Sequence, residues 1–306
     1  MDYFGLFIVK QGRKTQKRYG VLFTCLSCRA IHIEVAHSLS SDSFINAFRR
    51  FTSIRGRCVM LRMDRGTNFV GAHRELKESL DSLDVSKIES FLLRESCQFT
   101  DFRFNMPYAS HSGGVWERQI RTVRRVLSSL LYSLGSHLDD ESLLTLLCEC
   151  SAIINSRPLS VEHLSDITME PITPNHLLTM KADINIPPPG EFGSAECYSR
   201  KRWRRVQGLA NQFWARWKKE YLQSLQIRSK WQRSQRSIAI GDIVLLKDDN
   251  APRCEWSLCK VVHIYPSSDK KVRSIRLLVG SKSKSTTTYL DRSVHKCVLL
   301  IEAEST

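Results

Sequence analysis

Three acidic residues stand where group-transfer chemistry could use them. Asp2 heads a strand-like run, Asp2-Tyr3-Phe4-Gly5-Leu6-Phe7-Ile8-Val9. Asp64 closes the apolar run from Cys58 to Met63, just before the turn-forming Arg65-Gly66. Glu117 follows His111-Ser112-Gly113-Gly114, in the first turn of a helix that begins where the glycines end. From there Trp116, Ile120, Val123, Leu127, Leu130 and Leu134 recur at steps of four and three, an apolar stripe turned to a core. Glu117, Arg121, Arg124 and Ser128 follow the same steps one position round, so a carboxylate shares a face with guanidiniums. A surface helix with i,i+4 ion pairs would show the same row. The two strand aspartates that precede this glutamate set it apart. Three convergent carboxylates make a hard-oxygen cage for Mg²⁺. Two such ions about 3.5–4 Å apart can activate an oxygen nucleophile and stabilise a leaving oxygen at phosphorus.

The elements that must position these acids can be read from periodicity. Residues 3–9, 17–27 and 29–35 are expected to be strands, rich in Val, Ile, Leu, Phe and Tyr. Polar 10–16, with Gly12 inside it, reads as the hairpin turn between the first two. Cys25 and Cys28 form a C-x-x-C with no second ligand pair at finger spacing, so they read as small core residues rather than a zinc site. A helix over Ser41–Ser53, capped by Asp42, would bury Phe44, Ala47, Phe48 and Phe51. A fourth strand then runs up to Asp64. Two short helices, Arg74–Leu83 and Lys87–Arg94, and a strand over Cys97–Asn105 fill the interval before the Glu117 helix. A further helix, capped by Asp139 or Asp140, ends at Asn155-Ser156-Arg157-Pro158, where the proline stops it. Hairpin strands, then a helix and another strand, predict a mixed sheet covered by helices.

The chain has 306 residues, the length of about two domains. At 42% hydrophobic and 25% charged it can bury ordinary cores. No apolar run approaches a membrane span and no signal peptide opens the chain. The formal charge of +15 points to a polyanionic partner, nucleic acid before membrane. Ten cysteines without dense spacing read as reduced thiols of a cytosolic or nuclear protein.

Residues 161–197 carry most of the prolines and no period, the signature of a linker or meandering connection. From Arg200-Lys201-Arg202-Trp203-Arg204-Arg205 a basic amphipathic helix is expected across 198–235. Its Trp203, Val206, Ala210, Phe213, Trp214, Trp217, Tyr221 and Leu225 face a core, while the basic cluster could contact phosphate. Residues 236–303 predict a small all-β domain of five close strands, as in a small barrel.

The ordered Asp2, Asp64 and Glu117 resemble the acidic triad of the retroviral integrase superfamily. The closer resemblance is to the integrases of BEL/Pao-type LTR retrotransposons. It is carried by Asp2-Tyr3-Phe4-Gly5, Arg18-Tyr19-Gly20, Phe23-Thr24-Cys25-Leu26, Ala30-Ile31-His32-Ile33-Glu34, Asp64-Arg65-Gly66-Thr67-Asn68-Phe69-Val70-Gly71-Ala72 and Gly113-Gly114-Val115-Trp116-Glu117-Arg118. Gly241-Asp242-Ile243-Val244-Leu245-Leu246 and Trp256-Ser257-Leu258-Cys259-Lys260-Val261 look like the C-terminal region of the same family. The resemblance implies a ribonuclease H-like catalytic core over 1–160 and an SH3-like barrel that binds DNA or assists assembly. It implies two Mg²⁺ or Mn²⁺ ions, Asp64 bridging both while Asp2 and Glu117 each complete one. It further implies 3′-end processing and strand transfer on element ends and a target duplex, a homo-oligomer, and nuclear residence after cytoplasmic synthesis. Arg118, Arg121, Arg124 and Arg125 would hold phosphates near the ions, with Arg202, Arg204 and Arg205 as further DNA contacts. The superfamily's N-terminal zinc domain is expected to lie outside this stretch, and an aspartate at the head of its strand is expected to fray. A folded, basic, element-derived DNA-binding protein with little catalysis remains the alternative. A plain ribonuclease H would share the metal logic but leave the C-terminal domain unexplained.

Overall fold

Two aromatic-rich segments joined by Gly12 generate the first sheet. In the computed structural model, which describes residues 1–63, 84, 86–87, 101–104, 114–134, 138–161, 171–181, 188–225, 237–248, 251–266, 272–280 and 288–303, they form one long hairpin. β1 (Asp2–Gln11) pairs antiparallel with β2 (Lys14–Thr24), and β2 with β3 (Ile31–Ala36). The turn is tighter than the sequence suggests. Gln11 still pairs with Lys14, leaving only Gly12 and Arg13 to reverse the chain. Gly12 has φ +63° while Arg13 stays out of the left-handed region, which fits a type II′ turn.

α1 (Ser41–Arg55) packs Phe44, Ala47 and Phe48 on this sheet, in one core with Tyr3, Val21 and Phe23. Its cap is Ser40, whose hydroxyl accepts from the Ser43 amide at 3.2 Å, and Asp42 sits in the first turn instead. Phe23 and Phe51 stack at 4.2 Å between centroids. β4 (Met60–Met63) pairs in parallel with β5 (Asp101–Phe104). α2 spans Gly114–Leu134 and α3 spans Asp140–Asn155, with the Asp139 carboxylate accepting from the Ser142 amide at the α3 start. Val123, Leu127 and Leu130 of the predicted α2 stripe are buried.

Contacts divide the chain into two compact units, residues 1–151 with 190–213, and 152–189 with 214–306. In the second, β6 (Ser160–Val161) and β7 (Pro171–Ile172) lead into α4 (Pro174–Thr179). Thr173 and His176 close a capping box there, which six residues are too few to announce by period. α5 spans Arg202–Leu225. Within the second unit its Trp214, Trp217 and Tyr221 pack edge-on against Trp256 at 5.0, 5.9 and 5.4 Å. Five strands follow, β8 (Ile243–Leu246), β9 (Leu258–Pro266), β10 (Val272–Val279), β11 (Thr288–Ser293) and β12 (Cys297–Ile301). They form an antiparallel sheet in the order β11-β10-β9-β8-β12 around Val244, Val261, Ile275 and Leu277. Among the described residues this sheet is open, with β11 and β12 as its edges. The fold is thus mixed α/β, with an all-β C-terminal sheet. No helix among the described residues is long and apolar enough to cross a membrane.

Candidate active site

Asp2 does not fray. It is paired with Leu22 in the β1–β2 ladder, and Met1, itself buried, donates from its backbone nitrogen to the Arg62 carbonyl on β4. The head of β1 is therefore laddered to β2 and bonded once to β4. From the other side Arg124 of α2 reaches down, ion-paired to the Asp2 carboxylate and donating to the Tyr3 carbonyl at 2.8 Å. The two side chains keep only 14% and 18% of their exposure. Burial pushes the guanidinium down to about 10, which leaves it charged at neutral pH. The Tyr3 ring lies against Phe44 of α1, its phenol has no hydrogen-bond partner among the described residues, and burial raises it far above its ordinary range.

The glycines of the two opening motifs have a packing reason. Phe4 lies opposite Gly20 in the ladder, and a Cβ on Gly20 would meet the Phe4 ring at 2.4 Å. Gly5 has φ +76°, inside the register shift between Phe4 and Phe7, and a Cβ there would meet the Phe7 ring at 2.4 Å. The Phe4 ring thus covers backbone of β2 and the Phe7 ring backbone of β1, and both need glycine to do so.

The other two acids are located by chain position. Asp64 directly follows the last residue of β4 and lies outside the described residues. Glu117 is in the first turn of α2, where the backbone is described and the side chain is not. Arg118 stands likewise. Among the described residues no three of His, Cys, Asp and Glu cluster as a metal cage.

The remaining basic candidates separate by environment. Arg121 and Arg125 are exposed on α2. Arg202 pairs with Asp139 at 2.6 Å. Arg204 forks onto Glu196 at 2.9 and 3.0 Å and lies over the rings of Phe192 and Trp203. Arg205 donates twice to the Ser199 carbonyl, at 3.0 and 2.7 Å. Sequence reasoning does not foresee Arg124 as a clamp on Asp2. A signal for it exists, since it adjoins Val123 at the edge of the buried stripe, where a long side chain can turn under the helix.

A second polar cluster supports β3. Glu34, 7% exposed, receives Arg50 at 2.7 Å and His32 at 2.7 Å. Desolvation raises its carboxyl, but the hydrogen bonds from His32 and Arg50 outweigh that and hold it below the ordinary range. Cys25 and Cys28, expected in the core, are exposed and half-buried respectively. β2 ends at Thr24, so both fall in the following turn, where Arg29 takes φ +59° and its amide donates to the Cys25 carbonyl.

A family described as "Family of unknown function (DUF5641)" matches residues 201–300. No curated protein matches the chain. Among solved structures the chain is similar to one in the "CryoEM structure of simian T-cell lymphotropic virus intasome in complex with PP2A regulatory subunit B56 gamma". There the identity is 11%, covering 98% of this chain and 78% of that one, with a TM-score of 0.31.

Proposed function

We propose that the chain is a metal-dependent DNA-integrating enzyme of the retrotransposon integrase type, with Asp2, Asp64 and Glu117 as its carboxylates. The observation that carries this is the seating of Asp2. The bond from Met1 to Arg62 sets the head of β1 beside the end of β4, one residue short of where Asp64 follows. Arg124 ties the same carboxylate to α2, two turns beyond Glu117 on the same helix. The end of β4 and the helix that carries Glu117 are thereby both tied to the head of β1, which supports a shared site for the three acids. The β1-β2-β3 sheet and the separate parallel β4–β5 pair, bonded to it from Met1 to Arg62, support the reading of a ribonuclease H-like core. In the C-terminal unit, a meander with a 3₁₀ turn (Val294–Lys296) before its last strand favours an SH3-like domain.

An all-oxygen donor set suits Mg²⁺ or Mn²⁺, and the described member of it is a partly buried, ordered carboxylate. When bound, such ions activate an oxygen nucleophile and stabilise the leaving oxygen at phosphorus. The protein's own part is to fix the acids and to hold DNA by exposed cations such as Arg121 and Arg125. DNA ends and a target duplex are the substrates in this reading, a homo-oligomer the working form, and the nucleus the site of action. The domain division that goes with it is a core over 1–160, a connection over 161–197, a basic helix over 198–235 and a DNA- or assembly-directed domain over 236–303.

One observation favours the alternative, a DNA-binding protein with weak catalysis: the Asp2 carboxylate already has a guanidinium on it. Strand transfer with a labelled donor duplex and Mg²⁺ or Mn²⁺ separates the two. Products that disappear in Asp64→Asn, with duplex binding kept, support the enzyme. No products from either protein, both binding DNA at low salt, leave the DNA-binding reading.

A further inference from the structure

The β1–β2 hairpin runs past the sheet that anchors it. β3 pairs with Tyr19–Thr24 only, so from Phe7 to Arg18 the two strands continue as a ribbon with no third strand among the described residues. Its tip is exposed from Lys10 to Lys17. No Asp or Glu occurs anywhere between Tyr3 and Ile33. The charges of this ribbon are therefore of one sign, and they are not all neutralised elsewhere. Arg18, at the base, forks onto Asp140 at 2.7 and 2.8 Å. Lys10, Arg13 and Lys14 have no carboxylate partner among the described residues. In a chain whose helical arginines are so largely paired, three solvent-facing cations on one hairpin tip stand out.

Their placement says what they fit. Lys10 lies opposite Thr15, and Gln11 opposite Lys14. Cross-strand partners share a face and neighbours alternate, so Lys10 and Lys14 point to opposite faces of the ribbon, with Arg13 at its end. A two-stranded ribbon is about 10 Å thick with its side chains. The major groove of B-DNA is about 12 Å wide and admits one, and its two walls are phosphate. Cations on both faces and at the tip match an element inserted between two rows of negative charge. The deep, narrow major groove of an A-form RNA duplex does not admit it.

The ribbon is fixed to receive such a load. The Lys10 amide donates to the Leu138 carbonyl at 2.8 Å, at the entrance to α3. Its tip stands at the opposite end of β1 from Asp2. Eight residues at about 3.3 Å each put Lys10 about 25 Å from that carboxylate. At about 3.4 Å per base step this is a contact some seven base pairs from the reacting phosphate.

We propose that the hairpin tip, through Lys10, Arg13 and Lys14, is a second duplex-DNA contact that grips the major groove away from the carboxylates. It rests on the reading of duplex DNA as the substrate and adds a site to it. The test is fluorescence anisotropy of the full chain with a 5′-labelled B-DNA duplex of about 30 base pairs, long enough to span both sites. Salt is varied and the slope of log Kobs against log salt is read. Replacing Lys10, Arg13 and Lys14 together by Gln should lower the slope by about 2.7, at about 0.9 for each phosphate no longer neutralised. A fall of about 1.8 or more, two phosphates' worth, supports the site, and a smaller one overturns it. The charge-keeping set Lys10→Arg, Arg13→Lys, Lys14→Arg should retain the slope, and an equal fall there would overturn a role for charge. Circular dichroism of each variant should match the parent, because none of the three side chains packs in the core. The same fall on an RNA duplex of equal length would overturn the groove assignment in favour of a general phosphate contact. Strand transfer by the parent chain, run in parallel, keeps the two questions apart. Transfer with an unchanged slope removes the hairpin site and leaves the enzyme, whereas a lowered slope without transfer does the reverse.

Discussion

Arg124→Met tests whether the clamp on Asp2 organises the head of β1. The substitution keeps most of the side-chain volume and helix propensity while removing the charge. It takes the cation from a carboxylate that is 14% exposed, and a hydrogen-bond donor from the Tyr3 carbonyl. Breaking a fully buried ion pair from one side costs about 3–5 kcal/mol, because an uncompensated charge remains. Here both partners keep some solvent, which lowers the figure, while removing the bond to Tyr3 adds about 1 kcal/mol. The two corrections offset, and about 3 kcal/mol is expected. Arg121→Met, exposed on the same helix, should stay within about 0.5 kcal/mol.

Because the chain has two units, one global unfolding energy would blur the effect, and native-state amide exchange resolves it. The slow amides of the ladder from Asp2 to Phe4 and Gly20 to Leu22 should lose about 3 kcal/mol of protection in Arg124→Met, and amides of β8–β12 should lose none. A cycle with Asp2→Asn completes the test. The double variant should cost about 1.5–3 kcal/mol less than the sum of the singles, since each single removes the same interaction. If Arg124→Met changes β1 protection by no more than Arg121→Met does, the pair does not hold Asp2 and the seating of that carboxylate has another cause.

Other perturbations follow the same logic. Glu34 is held below its ordinary 4.5, so its pairing stabilises the fold above that pH and the contribution disappears as pH falls through the lowered value. Glu34→Gln should therefore cost stability at pH 7, and that cost should shrink as pH falls through the lowered value, as read by urea denaturation across an acid series. Gly20→Ala drives a methyl into the Phe4 ring at 2.4 Å and should cost about 1–3 kcal/mol in the same measurement. Alkylation followed by mass spectrometry should mark Cys25 first. It is exposed, and although partial burial raises its thiol, hydrogen bonds from Cys28 bring it below the ordinary value. Cys259 and Cys297, pushed up by burial to about 12 and about 11, should react only on unfolding.

The strands, α1, α2 and the C-terminal β region are legible because burial imposes a period that survives in the sequence. Phe44, Ala47 and Phe48 on α1, and Val123, Leu127 and Leu130 on α2, are buried as that period requires. What escapes is set by contacts between distant residues. Ser40 rather than Asp42 caps α1, since both can accept and only the backbone path decides. Cys25 and Cys28 lie in a turn because β2 stops at Thr24, and small residues carry no mark of where a strand ends. α4 is too short to show a period, and its capping box has His176 at the position where Glu or Gln is the usual signal. For the proposed site, the sequence offers three acids in order, whereas the clamp of Arg124 reaches the Tyr3 carbonyl across 121 positions and follows from packing alone.

The basic residues show why clusters mislead where partners are near. In the basic run over residues 200–205, Arg202, Arg204 and Arg205 have specific acceptors in Asp139, Glu196 and the Ser199 carbonyl, while Arg200 and Lys201 are exposed. Arg18, Arg50 and Arg124 likewise meet Asp140, Glu34 and Asp2. A guanidinium already forked onto a carboxylate is locally neutral and releases little from the counterion shell of DNA when the two approach. The net charge of +15 must then be expressed by cations that have no acid nearby, and the acid-free hairpin is such a place. This makes a contrast that can be measured. Arg204→Gln removes one formal charge from the cluster and leaves Glu196 exposed to repel the duplex, so affinity at low salt should fall slightly. The slope of log Kobs against log salt should change by less than the roughly 0.9 of a single phosphate. Lys14→Gln, also one charge, should change it by about 0.9. If Arg204 proves the more costly to the slope, its fork with Glu196 opens on DNA, and the basic helix rather than the hairpin carries the duplex.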